Sequence, residues 1–188
     1  MIRALRLNLD CDLAALRADL AAVAPAGWSP HFNTHYYSGE WSGIPLRAIP
    51  GSRVPLYADP NRTDFADTDL MQRCRYVQQF LAGLHCPVES VRFLKLAPGA
   101  VIREHRDFGL CFEDGSARLH IPVYTHADVD FVLDGEPLCL DCGECWYVNF
   151  DLKHRLANRG NSDRVHLVVD TRVNSWVEAL FRESDPSV

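Results

Sequence analysis

The chain has 188 residues, 47% hydrophobic and 23% charged, a composition ordinary for a globular protein, and its length suits one domain of roughly 100–200 residues. Nine Phe, six Tyr and four Trp exclude disorder as a description of the whole. The 25 acidic side chains outnumber the 19 basic ones, for a net charge of −6; this leaves no basic stripe for nucleic acid, and no apolar run reaches the roughly 18 residues of a membrane span.

The first residues, MIRALRLNLDCD, carry Arg3 and Arg6 with no apolar stretch behind them, which does not fit a signal peptide. The cysteine count, seven, is odd. Free thiols in a reducing cytoplasm are therefore expected.

Residues 1–9 alternate apolar and polar and predict a first strand. Asp10 and Asp12 are N-cap candidates. Leu13, Leu16, Leu20 and Val23 then form the stripe of an amphipathic helix, ended by Pro25 and Gly27. Residues 28–58 are aromatic-rich and broken by Pro and Gly, which predicts strands and turns. Asp59-Pro60-Asn61 predicts a turn. Leu70, Cys74, Val77, Leu81 and Leu84 predict a second helix over about 67–85, stopped by Pro87. From 88 to 170, short strands alternate with turn pairs such as Pro98-Gly99, Asp114-Gly115 and Asp134-Gly135, the pattern of a sandwich or barrel. A short helix over 175–181 and a polar tail close the chain. No linker is visible, so 1–188 is read as a single domain.

Arg118-Leu119-His120-Ile121 is echoed by Arg164-Val165-His166-Leu167. On strands, each segment puts Arg and His on one face and aliphatics on the other. Two readings follow: two walls of one polar cavity, or two strands with their polar faces in water. The echo alone favours water.

The sharpest feature is His105-Arg106-Asp107 with His154 forty-nine residues on. Residues i and i+2 of a strand share a face, so His105 and Asp107 converge, and a distant His154 completes a triad. Two imidazoles and one carboxylate hold Fe(II) with three positions open. Arg164 lies beyond the turn at 158–161. It could bind the far carboxylate of a dicarboxylate, or form a salt bridge to Asp163 or Asp170.

The stretches 96–107, Arg118-Leu-His-Ile-Pro122, Gly143-Glu-Cys-Trp146, His154 with Asn158, and 163–170 together resemble the aspartyl/asparaginyl β-hydroxylase family. The resemblance covers about 93–170. Tyr37-Ser-Gly-Glu-Trp41 with Ile44-Pro-Leu46 also looks like a segment of bacterial free-proline hydroxylases. It implies a mainly β fold: a double-stranded β-helix (jelly-roll, cupin-like) core with flanking N-terminal and C-terminal helices. It implies an Fe(II)- and 2-oxoglutarate-dependent dioxygenase. Such an enzyme uses O2 to hydroxylate an amino-acid side chain, in a peptide Asp/Asn or in a free amino acid such as proline, and releases succinate and CO2. It places His105, Asp107 and His154 at the iron-ligand positions and Arg164 at the 2-oxoglutarate carboxylate. Arg118 and His120 fall near co-substrate and substrate. The carboxylate at Asp107 makes the chain more like the bacterial soluble members than the animal membrane-bound ones.

Asn33, His35, Tyr36, Tyr37 and Trp41 form a polar-aromatic cluster that could line a substrate pocket; Trp41 could equally be packing. His120 and His166 could instead be polar partners in the core. Asp151 could orient His154, or serve a loop. Cys139, Cys142 and Cys145 have metal-like spacing but lack a fourth ligand, and Cys145 reads as a small core residue. A non-catalytic metal-binding β-helix module is the alternative function.

Overall fold

A computed structural model describes residues 1–59 and 61–187. Pro60, the middle of the turn predicted at 59–61, lies outside them. In chain order the elements are β1 (Ala4–Leu7), α1 (Leu13–Val23), β2 (Ser29–Pro30), β3 (Tyr37–Ser38), β4 (Trp41–Ala48), β5 (Ala66–Asp67), α2 (Arg75–Ala82), β6 (Val88–Leu96), β7 (Val101–His105), β8 (Ser116–Tyr124), β9 (Val129–Leu133), β10 (Glu136–Pro137), β11 (Cys145–Val148), β12 (His154–Asn158), β13 (Arg164–Arg172) and α3 (Ser175–Ser184).

The strands form two antiparallel sheets. The major sheet runs β1-β11-β8-β13-β6-β4-β2, with β5 added on β4; the minor sheet runs β10-β9-β12-β7-β3. Most central neighbours, such as β11 and β8, β8 and β13, β13 and β6, and β12 and β7, are not consecutive in sequence, which is the winding of a double-stranded β-helix. The expected fold class is therefore the observed one, helices included.

Alternation divides each long strand between two environments. Leu119, Ile121 and Val123 of β8 and Val165, Leu167 and Val169 of β13 join α1, α2 and α3 in one apolar core on the outer face of the major sheet. The inner face meets the minor sheet. There Leu96, Ile102, Phe131, Leu133, Val148, Phe150 and Leu156 form a second cluster. Each fully buried aliphatic side chain contributes about 1.5–3 kcal/mol.

The first helix begins as its sequence dictates: Asp12 caps it, accepting from the Ala15 N–H at 3.0 Å. The second is shorter than 67–85. Ala66 and Asp67 pair with β4 instead, and Arg47 holds Asp67 at 2.8 Å. A 3-10 turn follows at Met71–Arg73, so α2 starts only at Arg75. Its cap comes from another element: buried Asp19 of α1 accepts from the Val77 N–H at 2.8 Å. Tertiary pairing overrides the local helical stripe here.

The turn between β3 and β4 requires glycine. Gly39 has φ +81°, and a Cβ there would sit 2.7 Å from the Ala100 Cα. Gly51 has a similar φ of +70° but open space. Both alanine variants meet the left-handed penalty of about 1–2 kcal/mol; only Gly39→Ala also displaces backbone, at a further cost of about 1 kcal/mol or more. Urea unfolding of the two variants is expected to show that difference, and equal losses would refute the close-approach argument.

Candidate metal centre and cavity

Between the sheets lies a cavity of about 580 Å3. His105 ends β7 and His154 begins β12, and the two are direct partners across the ladder. The strand stops at His105. Asp107 sits in the following turn, fixed by its N–H donating to the Phe150 carbonyl at 2.9 Å. Ligand atoms of His105, Asp107 and His154 all lie within 4.8 Å of one another.

Backbone carbonyls orient both imidazoles. His105 Nδ1 meets the Arg103 carbonyl at 2.8 Å, and His154 Nδ1 meets the Leu152 carbonyl at 2.9 Å. A carbonyl only accepts, so each Nδ1 carries the proton and each Nε2 offers its lone pair. His105 Nε2 points at Asp107, 3.8 Å from Oδ1. Burial first, then the neighbouring His105, pushes the His154 pKa down, which keeps that ring neutral and able to ligate. Asp151, a candidate for orienting His154, binds Arg106 at 2.7 Å and the Gly109 N–H at 3.2 Å instead.

The echoed segments are adjacent strands of one wall, rather than two walls or solvent-facing strands. Arg118, His120 and Arg164 all line the cavity. Arg118 is doubly engaged. Its Nη1 donates to Asp107 Oδ2 at 2.9 Å, and its Nε and Nη2 donate to Asp170 at 2.6 and 3.1 Å. Asp170 also receives Arg92 Nη1 at 2.8 Å. Burial alone would raise the Asp170 pKa, but Arg118 and Arg92 hold it well below the carboxylate range. Asp107, Arg118, Asp170 and Arg92 thus form a chain of alternating charge that runs from the half-buried Asp107 to the buried Arg92.

Arg164 stands apart. It is 3% exposed, and Asp170 is already taken by Arg92 and Arg118. Its Nη2 donates to His166 Nδ1 at 3.1 Å, and among the described residues its Nε has no partner. Burial pushes its pKa down to about 9, so the guanidinium remains charged at neutral pH. His166 Nδ1 lies 3.2 Å from His120 Nδ1. A guanidinium only donates, so His166 is its acceptor and the proton between the imidazoles belongs to His120. His120 Nε2 is then a buried, unpartnered acceptor.

Of the predicted pocket cluster, Asn33, Tyr36 and Trp41 line the cavity. Tyr37 packs edge-on against Trp41 and donates its hydroxyl to the His31 carbonyl. The His35 carbonyl accepts from Arg103. Tyr36 stacks on the His105 ring, with centroids 4.9 Å apart. Sequence reasoning missed His31, stacked between Phe32 and Trp41, and Arg92. Arg92 did leave a signal: a cation amid the apolar residues of β6. Cys145 packs in the outer core, its thiol pushed up by burial.

The donor set and the orphaned guanidinium define a class: a β-helix with a two-histidine, one-carboxylate centre facing a buried cation that suits an anionic co-substrate. A model of the Aspartyl/Asparaginyl beta-hydroxylase family matches residues 12–173, and the chain belongs to that family. It is 23% identical over 180 residues to L-proline cis-4-hydroxylase of Rhizobium meliloti (strain 1021), covering 94% of this chain and 63% of that relative's length. In fold it is similar to an oxidoreductase of the 2OG-Fe(II) oxygenase family from Burkholderia pseudomallei, with a TM-score of 0.55 and 15% identity over 87% of this chain and 79% of that one. It is also similar to a Pseudomonas putida prolyl-4-hydroxylase, with a TM-score of 0.50 and 16% identity over 92% of each.

A buried charge without a counter-ion destabilises. Arg164→Met is therefore expected to raise the stability of the ligand-free protein by about 1–3 kcal/mol while abolishing any stabilisation by dicarboxylates. Thermal melts with and without 2-oxoglutarate check both signs.

Acid should weaken the fold. His31 is pushed down to about 3, by burial first and then by Arg92 and Arg118; His120 and His166 are pushed down chiefly by burial. With folded pKa values below the unfolded value of about 6.5, the unfolded chain binds more protons. Stability present above pH ~6.5 is lost as pH falls through this window. His31→Phe is expected to flatten the slope by up to about 1.4 kcal/mol per pH unit, read from urea unfolding at pH 7, 6 and 5.

Proposed function

We propose that this chain is an Fe(II)- and 2-oxoglutarate-dependent hydroxylase of a small free amino acid. The observation that carries this reading is Arg164: a buried guanidinium without a carboxylate, in the same cavity as the His105–Asp107–His154 triad. Iron and 2-oxoglutarate, when bound, supply the oxidation, which consumes O2 and releases succinate and CO2 while a C–H bond becomes C–OH.

The chain's residues bind, orient and exclude water. His105 Nε2, Asp107 Oδ1 and His154 Nε2 would hold the metal. Arg118 occupies the other oxygen of Asp107, which keeps that carboxylate single-pointed. Arg164 would take the far carboxylate of 2-oxoglutarate, with His166 and His120 keeping the guanidinium in place. Arg92, a buried residue of the cavity wall whose Nε has no partner among the described residues, suits the carboxylate of a free amino acid. His31 and Trp41 would line the substrate's apolar side. The similarity to an L-proline hydroxylase supports an amino acid of that size over an Asp or Asn residue in a peptide.

Anaerobic titration of Fe(II)-loaded protein with 2-oxoglutarate should give a visible charge-transfer band that weakens in Arg164→Met. Arg118→Gln should lower metal affinity by about 10–100-fold. In air, L-proline and its ring homologues should then drive succinate formation. Arg92→Met should raise KM for the amino acid about tenfold or more and leave 2-oxoglutarate affinity unchanged. A band without succinate from any amino acid would support a non-catalytic binding module.

A further inference from the structure

Two aromatic rings touch the imidazoles of the centre, and they differ in kind. Phe150 meets His154 edge-on at 4.7 Å and is locked in the core beside Phe131 and His120. Tyr36 lies face to face on His105 at 4.9 Å and 25°. It sits at the end of the 3-10 turn Thr34–Tyr36, lines the cavity and is 41% exposed. Its phenol is the more electron-rich ring. Among the described residues its hydroxyl has no hydrogen-bond partner. Tyr37, one residue on, points elsewhere: its ring abuts Trp41 and its hydroxyl is bound to the His31 carbonyl.

We propose that Tyr36 is a self-oxidation site: when the centre turns over without amino-acid substrate, oxygen is inserted into the Tyr36 ring beside its hydroxyl. This rests on the hydroxylase reading above. The balance is that of productive turnover. One O2 takes two electrons from the oxidative decarboxylation of 2-oxoglutarate and two from a ring C–H bond. One oxygen atom enters succinate. The other replaces the ring hydrogen, a hydrogen ends on the new oxygen, and the residue becomes a catechol. Tyr36 then acts as a sink that spares the ligands His105, Asp107 and His154. A bound amino acid in the same cavity offers a competing C–H bond and suppresses the reaction.

The test uses the full chain loaded with Fe(II) and incubated with 2-oxoglutarate under isotopically heavy O2, without amino acid. Trypsin releases residues 18–47, between Arg17 and Arg47, in one peptide holding Tyr36, Tyr37 and Trp41. Fragment masses are expected to place one heavy oxygen atom on residue 36 and none on residue 37. The label should be absent from Tyr36→Leu and from wild type without 2-oxoglutarate. Protein that shows the charge-transfer band yet keeps residue 36 unlabelled overturns the proposal and leaves the hydroxylase reading standing. Label on Tyr37 or Trp41 alone overturns it equally. No band in iron-replete protein removes the hydroxylase reading, and the proposal with it.

Discussion

Strand alternation sets Arg118, His120, Arg164, His166 and Asp170 on the opposite side of β8 and β13 from Leu119, Ile121, Val165 and Leu167. The aliphatics are needed to bury α1, α2 and α3, so register leaves the polar set no choice but the interior. A charged group placed there must be paired or bear a cost. Most of these groups are paired: Asp170 neutralises Arg118 and Arg92, and Arg118 reaches on to Asp107. Arg164 is the exception. The fold retains an unneutralised cation on the cavity wall and bears the stability loss that an unpaired buried charge brings.

The candidate metal centre belongs to the other sheet. His105 and His154 are ladder partners on β7 and β12, and the carbonyls that orient them lie only two residues away in each case. Both imidazoles are therefore positioned by backbone, which is stiffer than a network of side chains. Of the triad, the Asp107 side chain is tied to the opposite sheet through Arg118. That contact links the donor set of the minor sheet to the charge chain of the major one across the cavity.

The N-terminal segment completes the enclosure. Trp41, His31 and Phe32 stack in sequence along one wall, and Phe32 meets Tyr57 edge-on at 5.3 Å. Phe32, Tyr36, Tyr57 and Phe108 all line the cavity while remaining more than a third exposed. Together they give the cavity an apolar, solvent-accessible part of its wall. They offer apolar surface without adding charge, while the guanidinium groups of Arg92, Arg118 and Arg164 line the same cavity.

Much of this was legible along the chain. The first helix and its Asp12 cap, the run of strands from 88 onward and the triad rest on local periodicity, capping chemistry and donor type, all properties of neighbouring residues. The His-x-Asp spacing predicts convergence on one strand face; the strand instead ends at His105, and Asp107 is brought beside it by its own N–H bond to the Phe150 carbonyl. Pairings across the fold were not legible. Whether Arg118 and Arg164 faced water or a cavity depended on which sheet covered them. Which cation Asp170 would neutralise depended on the adjacency of β8, β13 and β6. Asp67 left its helical stripe for a strand because β4 offered unpaired backbone. Tyr36 and Tyr37 are adjacent and alike in type, yet only the packing of His105 and Trp41 separates a ring at the centre from one in the wall. Local order follows from neighbours in sequence; charge pairing and cavity lining follow from long-range register, which no single segment encodes.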